Sequence, residues 1–249
     1  MNPVAAPSIH SDEKRTVAIM QPTFLPWVGY LAMVHASDTF VFLDDVALDH
    51  RSWQHRNRIW SAQGPTWLTI PLLTKGRRGQ MILDTEVSVE GAPLKKLAGS
   101  LLHSYARAKH FSVVFPQVEN ALATYIPMGL ARTNIELVKM FAGWLSIETD
   151  FRRSSEMELP DLEKTARLAH ICRQLGGTHY LASPGSREYI EAAGPNVWGE
   201  ITVEYFNYEH PKWKQLGDGP FEPFLSSIDL FMNDLDDASA VMKSGILAS

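Results

Sequence analysis

Two adjacent carboxylates, Asp44 and Asp45, are the side chains in this sequence best placed to move a proton. They follow the apolar run Thr39 to Leu43, which predicts a buried strand. A carboxylate at a strand end can accept a proton from an amine or a hydroxyl, or hold Mg²⁺. Side chains alternate along a strand, so one aspartate faces a ligand and the other caps the loop. We expect Asp45 to be catalytic because an arginine-rich segment follows it, although capping is an equally good interpretation for either residue.

That arginine-rich segment runs from Arg51 to Arg58 and reads Arg-Ser-Trp-Gln-His-Arg-Asn-Arg. In an extended chain Arg56 and Arg58 lie on one face, where two guanidinium groups can clamp a phosphate. Trp53 offers a flat surface on which a base or a sugar ring can stack. Such runs are usually solvent-exposed basic strands, but a tryptophan among the charges favours a ligand site. The segment therefore supplies one catalytic candidate, His55, and the substrate-binding candidates Arg51, Trp53, Arg56, Asn57 and Arg58.

A second group of candidates surrounds the start of the first predicted helix. Trp27-Val28-Gly29-Tyr30 stands where Rossmann-type nucleotidyltransferases carry His-x-Gly-His, after the first strand and at a helix start. Free N–H groups at a helix N-terminus can bind a phosphate or a carboxylate. Both histidine positions are aromatic here, so we expect nucleotide or sugar-phosphate binding rather than nucleotidyl transfer by the usual route. The substrate-binding candidates are Gln21, Trp27 and Tyr30, with core packing as the competing interpretation for both aromatic residues.

Three shorter segments supply the remaining candidates. Ser183-Pro184-Gly185-Ser186 joins a predicted strand to a helix, an arrangement in which backbone N–H groups hold anions. A basic, glycine-containing loop and a loop near the C-terminus add one residue each. These segments give the substrate-binding candidates Ser183, Gly185, Ser186, Lys75 and Gln215. The histidines show no regular metal-ligand spacing, so we assign no metal site, and mid-helix Cys172 is interpreted as a packing residue.

The elements that must position these residues alternate between strands and helices. Val17 to Met20, a helix opening near Pro26 and the run Thr39 to Leu43 predict a strand–helix–strand unit with a right-handed crossover. The pattern resumes at Glu148, with strands predicted over 149–152, 178–182 and 201–206. Ligands bind beyond the carboxyl ends of such strands, which is where the candidate residues fall. We predict an α/β fold with a Rossmann-like parallel sheet as its core.

An antiparallel hairpin and a helical insertion are predicted to interrupt this sheet. The hairpin comprises 58–60 and 66–70 around Gly64-Pro65, and a further strand is predicted over 82–89. The insertion covers about 93–147, with helices opening at Pro93, Phe111 and Pro127. Later helices are predicted to be capped by Asp161 and to begin near Arg187 and Ser226. We expect residues 16–249 to form one domain and residues 1–15 to be a disordered extension.

Composition narrows the class of protein further. The 249 residues carry a formal charge of -5, which gives no reason to expect a nucleic-acid or anionic-membrane partner. A single cysteine rules out an internal disulfide and is typical of a reducing compartment. No apolar run approaches the length of a membrane span, and no signal-peptide core is present. We therefore expect a cytoplasmic protein that binds no membrane, and the sequence leaves its oligomeric state open.

The segment Ile19 to Tyr30, reading Ile-Met-Gln-Pro-Thr-Phe-Leu-Pro-Trp-Val-Gly-Tyr, resembles the opening of the WbqC-like protein family. Later segments follow in family order: Phe42 to Val46, Arg51 to Ile59, Ser104 to Ala108, Leu175 to Tyr180 with Ser183 to Gly185, and Gln215 with Leu225 to Asp229. The match covers nearly all of residues 16 to about 233. This family is met in bacterial gene sets for surface polysaccharides and other specialised metabolites, so the resemblance implies a small-molecule role and group transfer.

Taken together, the residues and the resemblance predict a transferase of bacterial surface-polysaccharide or specialised-metabolite biosynthesis. It would transfer an acyl or aminoacyl group to an amino sugar, a nucleotide sugar or a comparable amine. No cofactor is assigned beyond an activated acyl or aminoacyl donor or a nucleotide, and a carrier protein or a tRNA is a candidate donor. Two alternatives stay open: a nucleotidyltransferase-like enzyme, and a non-catalytic sugar-nucleotide-binding partner of a biosynthetic complex.

Overall fold

The computed structural model describes residues 13–49 and 52–247. Five parallel strands form the central sheet in the order β5-β2-β1-β6-β7, and β3 pairs with β4 in a separate antiparallel hairpin. The predicted α/β fold with a parallel sheet and a hairpin is therefore confirmed. The strands are β1 (Thr16–Met20), β2 (Thr39–Phe42), β3 (Arg56–Ile59), β4 (Thr66–Thr69), β5 (Asp150–Arg153), β6 (His179–Ala182) and β7 (Thr202–Tyr205).

Helices cover both faces of this sheet. The helices are α1 (Val28–His35), α2 (Pro93–Tyr105), α3 (Phe111–Tyr125), α4 (Leu130–Trp144), α5 (Lys164–Gln174), α6 (Arg187–Ala193), α7 (Ile228–Asp234) and α8 (Ala238–Ser244). Helices α2 to α4 are the insertion between β4 and β5. None of the helices in the described ranges is long and apolar enough to cross a membrane.

Alternation along the strands divides the core into two layers. In β1, Ala18 faces the larger cluster, which contains α1, the insertion and the C-terminal helices. Its neighbours Val17 and Ile19 face a smaller cluster formed with α5 and α6. Both faces of the sheet are thus buried, as expected for parallel strands with near-continuous apolar sequences.

The strand order reverses direction between β1 and β6. The chain moves outward from β1 through β2 to β5, then crosses back to β6 and β7 on the other side. Loops after β1 and β6 leave the sheet on opposite faces at such a switch point, which opens a crevice at the carboxyl edge. The end of β1, at Met20 and Gln21, is therefore the place where the fold predisposes a ligand site.

The β3–β4 hairpin is attached to this edge by backbone and amide hydrogen bonds. Phe24 N donates to Trp53 O at 2.9 Å, and Ser226 N donates to Arg58 O at 2.8 Å. The buried Asn57 side chain donates from Nδ2 to the carbonyl oxygens of Phe24 and Leu25 at 3.2 and 2.7 Å. The hairpin consequently forms one wall of the crevice beside β1.

Several predicted element boundaries are wrong, each for a local reason. Residues 82–89 form no strand, because a turn closed by Asp84 N and Thr85 N leaves only isolated bridges on either side. The third insertion helix begins at Leu130 rather than at Pro127, since Gly129 has a φ of +93° and redirects the chain. Glu163, not Asp161, precedes the first residue of α5. Helix α8 was not predicted.

Most of the predicted N-terminal extension, residues 1–12, lies outside the described residues. Its last residues make specific contacts with the sheet. Arg15 O accepts hydrogen bonds from Thr178 N and His179 N at 2.9 and 3.0 Å. Lys14 Nζ forms an ion pair with Glu204 at 2.8 Å. Contacts with the sheet are thus made by residues before the predicted boundary at residue 16.

Candidate functional site

Two adjoining cavities lie at the carboxyl edge of the sheet, beside the end of β1. Cavity A has a volume of about 440 Å³ and cavity B of about 410 Å³. Met20, Thr23 and Trp53 line both, so the two cavities form one cleft in two parts. Cavity A is completed by Ile19, Gln21, Leu43, Val46, Ser52, Gln54, Leu162, Lys164, Arg167, Leu168 and Tyr189, and cavity B by Pro26, Trp27, Tyr30, Asn57, Arg58 and Phe224.

Cavity A carries two cations from α5. Arg167 Nη2 donates to Asp45 Oδ2 at 2.5 Å, which fixes the guanidinium at the end of β2. Lys164 stands one turn earlier on the same helix, and its Nζ lies 3.6 Å from the centre of the Tyr189 ring. No carboxylate is found among the described residues that line this cavity. Cavity A is lined by two cations, Lys164 and Arg167, and only Arg167 is paired with a carboxylate, that of Asp45. The resulting net positive charge favours an anionic ligand.

A chain of buried amides fixes the floor of the same cavity. Gln54 Nε2 donates to Gln21 Oε1 at 2.7 Å, and Gln54 Oε1 accepts from Asp49 N at 3.0 Å. Asn134 of α4 in turn donates to the Gln54 carbonyl oxygen at 2.7 Å. Within the described part of the chain this leaves the Gln21 amide nitrogen available to donate to a ligand.

Cavity B is an aromatic pocket with one cation. The Trp27 ring stacks on His210 with centroids 5.9 Å apart, and it also contacts Phe224 and Tyr208 at 5.7 Å. Arg58 approaches the carbonyl oxygens of residues 223 and 224 at 3.4 and 3.5 Å. Its nearest carboxylate is 3.6 Å away, on residue 222. Long contacts of this kind leave much of the hydrogen-bonding capacity of Arg58 unused.

Buried polar atoms without a partner point to the same cleft. Within the described ranges, Arg58 Nε, Arg167 Nε and Thr23 Oγ1 are buried and have no hydrogen-bond partner of standard geometry. Each belongs to a residue that lines a cavity, and each cavity contains one of the two guanidinium groups. Buried donors are nearly always satisfied in native proteins. Other such atoms lie elsewhere in the described part of the chain, for example on Gln80 and Trp198, but these three face the cleft and are free to bind a ligand there.

The carboxylate of Asp44 is buried, and its acceptor positions are occupied by other residues of the protein. It is fully buried and accepts from Arg153 Nε and Nη2 at 2.8 and 2.7 Å. Ser155 adds its backbone N–H at 3.1 Å and its hydroxyl at 2.9 Å, and the Ser154 hydroxyl lies 3.3 Å away. Five contacts occupy the lone-pair positions, so Asp44 ties β2 to the end of β5 and does not line either cavity.

Asp45 forms an ion pair with Arg167, which lines cavity A. One oxygen holds the guanidinium and the other is in contact with the Ser154 hydroxyl. The carboxylate is absent from the walls of both cavities as the described residues form them. The two aspartates that were predicted to be catalytic thus have different structural partners. Asp44 joins β2 to β5, and Asp45 orients the arginine that lines cavity A.

The indole ring of Trp27 lies on the first turn of α1. A Cβ on Gly29 would lie 2.1 Å from the Trp27 ring, so only glycine allows the indole to rest on the first turn. The Tyr30 hydroxyl donates to Gln21 O at 3.1 Å, and burial raises the pKa of this phenol. The nearby Thr23 hydroxyl lowers that pKa slightly without satisfying the geometry of a hydrogen bond. A neutral phenol and an indole thus replace the two histidines of the nucleotidyltransferase pattern.

Of the residues predicted from sequence, six line the cleft: Gln21, Trp27, Tyr30, Trp53, Asn57 and Arg58. Asn57 is engaged structurally, because its amide also accepts from Arg58 N at 2.8 Å. Arg56 places its guanidinium 4.5 Å from the Trp67 ring centre instead of beside Arg58. His55 lies just before β3, outside the cavity walls, and Arg51 lies outside the described residues.

The remaining predicted residues stand apart from the cleft. Ser183, Gly185 and Ser186 form a turn in which Ser186 bonds back to Ser183 O, and only the following helix reaches cavity A, through Tyr189. Lys75 lies in an exposed loop that contributes to neither cavity. Gln215 is a structural clamp, since its amide bonds Glu222 O, Glu222 N and Asp229 at 2.8 to 3.0 Å.

Sequence reasoning missed the cations of cavity A and the aromatic partners of cavity B. Lys164 and Arg167 are one turn apart on a short helix, a spacing that would have placed them on one face. Phe224 has a positive φ of 59° and Thr23 has no distinctive neighbour, so neither gave a signal. Within the described ranges, no group of three or more histidine, cysteine, aspartate or glutamate residues could hold a metal ion.

The fold and the cleft together define a doubly wound α/β protein with a cationic, two-part crevice at its switch point. Residues 21–240 match the WbqC-like protein family, and the chain belongs to that family, which confirms the resemblance. The uncharacterized protein Rv1507c of Mycobacterium tuberculosis is 33% identical over 223 residues, covering 88% of this chain and 94% of that protein. No solved structure matches the chain.

Proposed function

We propose that this protein is a group transferase that binds an anionic, activated substrate in cavity A and a second substrate in cavity B. The observation that carries the proposal is the junction of the two cavities at Met20, Thr23 and Trp53. Because the same three residues line both cavities, substrates bound in the two parts would lie next to each other, which is the arrangement that transfer requires. Arg167 and Arg58 supply a guanidinium to each part.

The reaction that fits best is acyl or aminoacyl transfer to an amino sugar, a nucleotide sugar or a comparable amine. The amine nitrogen forms a bond to the acyl carbon while the bond from that carbon to the leaving oxygen or sulfur breaks. The leaving atom takes the proton that the amine loses, so the step balances without a separate base. This route suits a cleft whose described lining residues include no carboxylate and no histidine.

The same composition of the walls favours one alternative, a non-catalytic sugar-nucleotide-binding partner of a biosynthetic complex. A binding protein needs the cations and the aromatic faces but no proton acceptor. The nucleotidyltransferase alternative is weaker, because the Tyr30 hydroxyl donates to Gln21 O and Trp27 covers the helix start. Neither residue can supply the positive charge that the histidines of that enzyme class provide.

The proposal also covers the cellular compartment and the chemical class of the activated donor. Action in the cytoplasm suits the single cysteine, Cys172, whose thiol is buried and whose pKa is raised to about 12 by burial. That thiol stays protonated and packs in the core rather than reacting. The activated donor is an acyl or aminoacyl group on a small carrier such as a nucleotide, on a carrier protein or on a tRNA.

The test is a product assay with matched variants. Purified protein is mixed with acyl and aminoacyl donors and a panel of amino sugars and nucleotide amino sugars, and N-acylated products are sought by mass spectrometry. Arg167→Ala and Arg58→Ala should reduce product, whereas Arg152→Ala, an exposed arginine on β5, should not. Ligand binding without product across the whole panel would instead support the binding-protein alternative.

A further inference from the structure

We infer that the anionic substrate is a nucleotide whose base stacks on Trp53, at the point where cavities A and B meet. This inference rests on the proposed function, since it names the substrate class for the same cleft. The residue that carries it is the Trp53 side chain, which lines both cavities while remaining 48% exposed. Trp67 is equally exposed but lines neither cavity, so it is the position of Trp53 between the two cavities that offers its face to a ligand.

Trp53 packs against the tilted ring of Trp67, which in turn contacts Arg56. The Trp67 ring of β4 lies 5.4 Å from the Trp53 ring at an interplanar angle of 33°. Arg56 of β3 adds a guanidinium 4.5 Å from the Trp67 ring centre. Trp67 lines neither cavity, so it supports Trp53 from outside the cleft. A cation and two indoles in series leave an aromatic surface for one more planar ring.

The backbone beneath Trp53 is equally constrained. Trp53 O accepts from Phe24 N at 2.9 Å, which joins it to the loop that follows β1. The neighbouring Gln54 is buried and is bound through its carbonyl oxygen to Asn134. A preorganised indole of this kind loses little entropy when a ring stacks on it, whereas a mobile one would have to be ordered first.

The hydrogen-bonding groups of the cleft select a ligand rich in acceptors. The amide oxygens of Gln21, Gln54 and Asn57 already accept N–H groups of the protein, at 2.7 to 3.0 Å. What the described lining residues still offer is mainly donors, from Arg58, Arg167, Lys164 and the Gln21 amide. Phosphate oxygens and the ring nitrogens and carbonyl oxygens of a base satisfy donors. A free sugar brings several hydroxyl donors and would find few acceptors.

The dimensions of the cleft also suit a nucleotide. Each cavity, at about 410 to 440 Å³, lies within the range in which drug-sized ligands bind. Trp53 lines both cavities, and Arg167 lines one of them and Arg58 the other, so a nucleotide stacked on Trp53 would share a cavity with a guanidinium group on either side. The phosphates thus reach an arginine in either direction, and bidentate contacts with guanidinium groups are strong.

The experiment compares ligands that add the ribose and then the base to a phosphate. Binding of inorganic phosphate, ribose 5-phosphate, AMP and UMP is measured by isothermal titration calorimetry. The nucleotides should bind about tenfold or more tighter than ribose 5-phosphate, since stacking of one base on an aromatic side chain has an effect of that size. Trp53→Ala should remove this gain and leave phosphate binding intact, and Trp53→Phe should retain part of it. Val113→Ala, at an exposed position on α3, is the control and should change nothing.

The outcomes separate this inference from the proposed function. If phosphate and ribose 5-phosphate bind as tightly as the nucleotides, the base subsite is refuted and the anion site stands. If ribose 5-phosphate shows the whole gain and loses it in Trp53→Ala, the ring on Trp53 is a sugar and the inference is also wrong. If none of the four ligands binds, the anionic-substrate proposal itself fails. Melting curves of each variant identify any loss of folding.

Discussion

Replacing each aspartate of the pair by asparagine should separate a stability effect from a binding effect. Asp44→Asn keeps the shape of the side chain but places an amide against the guanidinium of Arg153, inside a fully buried site. Removing one partner of a buried ion pair costs about 3–5 kcal/mol. Arg153 is a quarter exposed and keeps Glu156 at 3.0 Å, so the lower end, about 3 kcal/mol, applies.

The loss of free energy of unfolding in Asp44→Asn should be visible as a lower melting temperature. For a chain of this size, about 1 kcal/mol shifts the melting temperature by roughly 2–4 °C, so Asp44→Asn should melt about 6–12 °C lower. Ligand affinity at the surviving folded protein should hardly change, because Asp44 lines neither cavity in the described part of the chain. Thermal melts and phosphate titrations on the same samples measure both quantities.

Asp45→Asn should show the opposite balance. Its ion pair with Arg167 is about one-fifth exposed on each side, whereas Asp44 is fully buried, so stability should fall by about 1.5 kcal/mol, less than in Asp44→Asn. The freed arginine must then be ordered again by the ligand, at up to about 1.5–2 kcal/mol of side-chain entropy. Phosphate affinity should therefore drop about tenfold.

The control for both variants is Asp150→Asn. Asp150 pairs with Arg152 at 2.8 Å, but both side chains are more than half exposed, so neither stability nor affinity should change. Two results would refute the reasoning. One is an Asp44→Asn variant that melts within about 2 °C of the parent. The other is a loss of phosphate affinity that is larger in Asp44→Asn than in Asp45→Asn.

Three further perturbations test other parts of the site. Arg167→Ala should weaken phosphate binding about tenfold or more in calorimetry, because a hydrogen bond to a charged group contributes about 1.5–3 kcal/mol. Gly29→Ala should lower the free energy of unfolding by about 1–3 kcal/mol in denaturant melts, since the new methyl group collides with the Trp27 ring. Burial lowers the pKa of His210 from 6.5, and its Nε2 accepts from Phe224 N, so folding excludes a proton that the unfolded chain binds. Stability should therefore fall as the pH drops below 6.5, and His210→Asn should flatten that slope in pH-dependent melts.

Each of these three predictions has a control or an outcome that would contradict it. Arg132→Ala, an exposed arginine on α4, should leave phosphate binding unchanged, and equal losses in both variants would remove the special role of Arg167. Gly143→Ala meets no atom within 4 Å and should be neutral or stabilising. His35 also has a lowered pKa, so part of the pH slope should survive in His210→Asn, and an unchanged slope would contradict the role of His210.

The sequence by itself determined most of the elements of this protein. Short apolar runs predicted β1, β2 and β6 because a strand buried on both faces needs apolar side chains at every position. Helical spacing and Pro93 predicted where α2 and α3 begin. Where the predictions failed, as at 82–89 and Pro127, a turn or one glycine with positive φ outweighed the local pattern.

The tertiary structure decided which candidate side chains remain available to a ligand. Asp44 and Asp45 look alike in sequence, yet Arg153 and Ser155 occupy the first while Arg167 engages the second from 122 residues away. Residue types and spacing along the chain report which groups are present. They do not report which donors and acceptors are already paired, because those pairings join segments that become neighbours only when the sheet assembles.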